Sequence, residues 1–89
     1  MRTYIPYHRN DWKNETLLYE EIGRRVKEFR LNKGMTQQKL SDQIHLARSS
    51  IANLENGAHK ISLHVLYEIC SALEITIHQL LPANIEESS

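Results

Sequence analysis

The residues with the most specific chemistry lie mid-chain. Arg48, Ser49, Ala52, Asn53 and Asn56 fall on one side of a short helical stretch, and Ile51 and Leu54 fall on the other. The outward set is small or polar, with a single arginine. Short side chains let a helix approach the floor of the DNA major groove, and the arginine fork matches the O6 and N7 acceptors of guanine. Plainer readings stand beside this one. Arg48 could contact a phosphate or sit in solvent, Asn53 could be an ordinary solvated helix residue, and serines such as Ser49 and Ser50 read bases permissively.

The other reactive side chains assemble no rival chemistry. Five histidines (His8, His45, His59, His64 and His78) lack tight metal-ligand spacing, and Cys70 has no second thiol. Cys70 falls on the apolar face of a helical stretch, the place of a small core residue. No nucleophile has both a base and an orienting partner. The expectation is a non-enzyme with no metal and no cofactor.

The elements that must position the mid-chain residues are helical. Leu18, Ile22, Val26 and Phe29 recur at spacings of three and four, which lines one helix face. Gly34 suits a left-handed cap, with Lys33 beside the negative helix end. Thr36 offers a hydroxyl N-cap to a second helix bearing Leu40 and Ile44. His45-Leu46-Ala47 breaks the pattern, and a third helix follows and closes at Asn56-Gly57. Ser62 caps a fourth helix bearing Leu63, Leu66, Ile69, Cys70 and Leu73. Thr76 and Gln79 have capping-box spacing for a short fifth helix ahead of Pro82. No run alternates with period two, so the chain reads as all-α with five helices. The second and third helices are each too short to be stable alone. They must share a core through Leu40, Ile44, Leu46, Ile51 and Leu54.

With 89 residues the chain suits one small domain whose core is limited, so a dimer interface would help stability. The expected division is an N-terminal extension over 1–16, a domain over 17–82 and a short acidic tail over 83–89. No apolar run is long enough to span a membrane, no signal-peptide core is visible, and a lone cysteine asks for no oxidising compartment. A cytoplasmic location follows as an expectation. Net charge is zero, yet residues 24–60 carry eight basic and three acidic side chains, whereas 61–89 carry four acids and no Lys or Arg. A basic middle and an acidic end point to faces with different partners, the alternative being a scatter of solvated charge.

Ile22-Gly23-Arg24-Arg25-Val26-Lys27-Glu28-Phe29-Arg30, Lys33-Gly34-Met35-Thr36-Gln37-Gln38-Lys39-Leu40 and Ser49-Ser50-Ile51-Ala52-Asn53-Leu54-Glu55-Asn56-Gly57 together resemble the Cro/C1-type helix-turn-helix family. Lambdoid phage repressors and restriction-modification controller proteins belong to it. Ser71-Ala72-Leu73, Ile75, Ile77 and Gln79-Leu80-Leu81 resemble its last two helices, so the likeness runs from residue 18 to 82. It implies a lambda-repressor-like fold and a transcriptional regulator, repressor or repressor-activator switch, of double-stranded DNA. It also implies roles. Arg48, Ser49 and Asn53 match base-reading positions, with Ala52 against a thymine methyl. Thr36, Gln37, Ser50, Asn56, His59 and Lys60 match phosphate-facing positions, Gln37 also bracing the recognition helix. Arg30 and Glu55 match a structural ion pair.

Three positions depart from the family pattern: His45 at a turn position usually Gly, Ala47 where a Ser or Thr cap is common, and Glu74 in place of a Gly between the last helices. Ile75, Ile77, Leu80, Leu81 and Ile85 form an apolar cluster open to two uses: the monomer core absorbs part of it, and the family commonly builds a two-fold dimer interface here, which implies a homodimer on a near-palindromic operator. Tyr4, Tyr7 and Trp12 pack over the domain or a dimer partner, or else Arg2 and Arg9 enter a DNA groove as an arm. Packing is the favoured reading. An alternative function is an antitoxin that binds DNA with the same fold and also neutralises a partner protein.

Overall fold

The computed structural model describes residues 13–58 and 60–82. The readings made for the N-terminal aromatics, His59, Ile85 and the acidic tail lie outside the described residues. Within them the chain forms five helices: α1 (Glu15–Asn32), α2 (Gln37–Ile44), α3 (Arg48–Glu55), α4 (Leu63–Leu73) and α5 (Ile77–Leu80). The all-α architecture expected from the periodicities is the one observed.

Helix ends follow local chemistry. The Asn14 side chain accepts from the Leu17 N–H at 3.1 Å and starts α1 three residues ahead of Leu18, where the apolar pattern begins. Gly34 leaves α1 in the left-handed region at φ 74°. Thr36 and Ser62 cap α2 and α4 by accepting from Lys39 and Val65 N–H groups at 3.0 and 3.1 Å. At α5 the Thr76 N–H donates to the Gln79 side chain at 2.8 Å, the returning arm of a capping box.

Packing closes these pieces around one core. α2 lies on α3 and α4, and α1 crosses α3, α4 and α5. Ile22, Val26, Met35, Leu40, Ile44, Ile51, Leu54, Leu66, Ile69, Cys70, Leu73 and Leu80 are buried together. Leu63 sits on the flank of the α4 apolar stripe, about 60° around the helix from Leu66, and is 61% exposed, as is much of Tyr67 on the same side. Leu80 was expected at a dimer interface but is fully buried in the protomer. The single turn of α5 tucks it under α1 and α4, so it has no surface to offer a partner. Ile75, Ile77 and Leu81 are partly buried against the same core.

Glu21 is buried on α1 without being apolar. Arg24 meets it through two hydrogen bonds of 3.0 and 2.8 Å, and Arg25 through one of 2.7 Å. Arg25 also donates to the Leu81 carbonyl at 3.0 Å, which ties α1 to the end of α5. The Arg24 hydrogen bond holds the Glu21 carboxyl below its ordinary range against the opposing cost of burial, with Arg25 adding to the effect.

Candidate nucleic-acid interface

α2 and α3 are joined by a turn with little freedom. His45 adopts the left-handed conformation, φ 59° and ψ 37°, and its N–H returns to the Ser41 carbonyl. The Leu46 N–H bonds the same carbonyl at 3.0 Å. Ser41 is wholly buried and turns its hydroxyl back to the Gln38 carbonyl at 2.8 Å, so α2 keeps a small, satisfied residue at the helix contact. Ala47 then holds the N-cap position of α3 with extended backbone and no side-chain hydrogen bond. The unusual turn residue and the missing cap are thus both accommodated, by left-handed backbone at His45 and an uncapped first turn after Ala47.

The inward side of α3 carries Ile51, Leu54 and Glu55, all buried. The outward side carries Arg48, Ser49, Asn53 and Asn56, all exposed, with Ser50 and Ala52 half-buried at its margins. Of the five positions that the sequence places outward, Arg48, Ser49, Asn53 and Asn56 are thus exposed and Ala52 is half-buried. Thr36 and Gln37 join this outward strip at the start of α2. The Arg48 Nη1 donates to Gln37 Oε1 at 3.3 Å, so the first residues of the two helices meet.

Behind this strip lies a buried charge pair. Arg30 Nε and Nη2 donate to the two carboxylate oxygens of Glu55 at 2.6 and 3.0 Å, and Arg30 Nη1 donates to the Met35 carbonyl at 2.7 Å. Gln37 Nε2 donates to Glu55 Oε1 at 3.1 Å. The family resemblance implies that Gln37 braces α3, but no local pattern in the sequence marks Glu55 as its partner. The two residues lie eighteen positions apart, and only the crossing of α2 and α3 brings them together.

Lys60 lines one cavity with Ser50 at the margin of the strip. Its ammonium lies 2.9 Å from a Glu15 carboxylate oxygen at the start of α1. That hydrogen bond raises its pKa, so the group stays charged. Thr36 spends one acceptor site on the Lys39 amide, and its hydroxyl hydrogen remains a donor. Among the described residues no helix is long and apolar enough to cross a membrane.

The signature of the helix-turn-helix family matches residues 26–80. A competence pilus inhibition repressor from Acinetobacter baylyi is 38% identical over 60 residues, covering 67% of this chain and 54% of that protein. The chain thus spans about half the length of this curated relative. Among solved structures, the restriction-modification controller protein C.AhdI from Aeromonas hydrophila is 30% identical with a TM-score of 0.69, covering 71% of this chain and 96% of that one. The controller protein C.Esp1396I, solved as a tetramer in complex with its natural 35 base-pair operator, is 29% identical with a TM-score of 0.61, covering 65% of this chain and 76% of that one. The exposed α3 strip, the α2–α3 turn and these likenesses agree: the chain belongs to the Cro/C1-type (XRE-like) helix-turn-helix family.

Proposed function

We propose that the protein is a sequence-specific DNA-binding transcriptional regulator that binds a near-palindromic operator as a homodimer. The observation that carries this reading is the α3 strip. Its polar residues are exposed while Ile51, Leu54 and Glu55 lock the opposite side into the core. A helix held rigidly by one face and offering short polar groups plus an arginine on the other suits the major groove.

In this reading Arg48, Ser49 and Asn53 read base edges and Ala52 meets a thymine methyl. Thr36, Gln37, Ser50, Asn56, His59 and Lys60 face the phosphates. Lys60 exchanges Glu15 for a phosphate at little cost, because water screens an exposed ion pair and leaves it contributing little. Ile75, Ile77, Leu81 and Ile85 supply the dimer contact. Two α3 helices related by a two-fold axis would stand about 34 Å apart, one turn of DNA. Occupying a promoter would then regulate the gene behind it.

Selection of bound duplexes from a randomised DNA pool tests the proposal. An inverted repeat with half-sites one turn apart is the expected product, and Arg48→Ala should erase the preference at one symmetry-related base pair, a loss of about 1–3 kcal/mol. Equal recovery of all sequences by the wild-type chain would refute it. Sedimentation over a concentration series tests the dimer, which fails if a monomer at micromolar concentration binds the operator with full affinity.

A further inference from the structure

Glu55 faces in two directions. Its Oε1 accepts from Arg30 Nη2 at 3.0 Å and from Gln37 Nε2 at 3.1 Å. An ionised carboxylate accepts and never donates. The Gln37 amide must therefore turn its nitrogen towards Glu55 and its oxygen away, where Arg48 Nη1 donates to it. A flipped amide would set oxygen against carboxylate and NH2 against guanidinium, so both neighbours select the same orientation.

The carboxylate has no freedom to follow a rotating amide. Arg30 grips it with two parallel hydrogen bonds, and the side chains are only 7% and 2% exposed. Arg30 is in turn anchored on the Met35 carbonyl. A line of fixed hydrogen bonds thus runs from the interior to an exposed guanidinium. Its outermost link, at 3.3 Å, is longer than a strong charge-assisted bond, so it steers Arg48 and does not lock it.

We propose that Glu55 is a positioning residue for base recognition: it sets the Gln37 amide so that its oxygen narrows the range of Arg48 before DNA arrives. The inference rests on the reading of Arg48 as a base contact. A long side chain loses rotamer freedom when an interface orders it, and ordering it beforehand lessens that loss and favours one base over its neighbours. The second Nε2 hydrogen of Gln37 stays available to a phosphate, so the steering role adds to a backbone contact and does not compete with it.

The same randomised-duplex selection, run on three variants, tests this. Gln37→Met removes the amide. Arg30→Met with Glu55→Met removes the carboxylate without stranding a buried charge. The triple variant combines them. Gln37→Met should flatten the preference at the Arg48 base pair by about three- to tenfold, the scale of one weak charge-assisted hydrogen bond, with other positions unchanged. The double variant should do the same, and the triple variant should add nothing further. Thermal melting checks folding; if the methionine pair does not fold, Arg30→Leu with Glu55→Leu removes the carboxylate in its place, and the proposal falls if a folded pair variant keeps the preference. The proposal falls if Gln37→Met weakens all sequences evenly, as loss of a phosphate contact would, or keeps the preference, or if the effects add in the triple variant. A wild-type chain without any preference would instead remove the base-reading assignment on which the inference stands.

Discussion

Gly23 of α1 lies so close to Leu54 of α3 that a β-carbon at position 23 would fall 2.3 Å from the Leu54 carbonyl oxygen, and 2.8 Å from that of Glu55. A glycine inside a helix costs about 0.5–1 kcal/mol relative to alanine. Here it permits the backbone contact that seats the last turn of α3 on α1. Gly23→Ala should therefore destabilise despite its better helix propensity. The overlap is with backbone, which cannot swing aside, so a net loss of about 1–3 kcal/mol is expected. Urea denaturation checks this, and a variant as stable as wild type would show that the two helices slide apart freely.

The Arg30–Glu55 pair makes the second prediction. Removing one partner leaves a buried charge without its counter-ion, so Glu55→Ala should cost about 3–5 kcal/mol. Replacing both by methionine should cost far less, since desolvation of two charges offsets much of their attraction. Chemical denaturation of Arg30→Met, Glu55→Met and the double methionine variant, beside Glu55→Ala, separates these cases. Additive losses would mean that the pair is not coupled.

The α2–α3 turn holds a residue with φ 59° and a helix start without a side-chain cap. His45→Gly should relieve about 1–2 kcal/mol of left-handed strain and give back about 0.5–1 kcal/mol through the freer unfolded chain, a net gain of about 0.5–1 kcal/mol. Ala47→Ser should add about 1 kcal/mol by capping α3. Thermal melting of the single and double variants measures both, and no gain from Ala47→Ser would mean that solvent already satisfies those amides.

Glu21 provides a pH prediction. Its pKa is lowered in the folded chain, first by the Arg24 hydrogen bond and then by Arg25, with burial working the other way. A depressed carboxylate stabilises fully above its unfolded pKa, and that contribution is lost as pH falls through the folded value. Stability should thus decline on acidification below the ordinary carboxylate value of 4.5. Glu21→Gln should flatten that part of the profile, at the expense of stability at neutral pH. Denaturation midpoints at a series of acidic pH values check it, and an unchanged slope in Glu21→Gln would assign the acid loss to other carboxylates.

The sequence by itself determined the local structure and the outward strip. Thr36, Ser62, Gly34 and the break at His45-Leu46-Ala47 act within a few residues of themselves, so their chemistry is written in neighbouring positions. The period of Ile51 and Leu54 likewise dictates that Arg48, Ser49 and Asn53 face away from the core. The Asn14 cap is not legible in the sequence because the apolar pattern starts only after its helix has begun.

Tertiary structure decided what depends on helices crossing. Leu80 is core and Leu63 is surface, although both are leucines on short apolar stripes, because burial depends on which helix lies opposite. Gly23 matters through α3, Arg25 of α1 reaches the Leu81 carbonyl at the end of α5, and Gln37 has a definite amide orientation through Glu55. Such contacts join positions far apart in the chain, and periodicity or capping patterns carry no record of them. The identity of the outward residues is therefore a local fact, while the orientation in which Arg48 is presented is a property of the assembled fold.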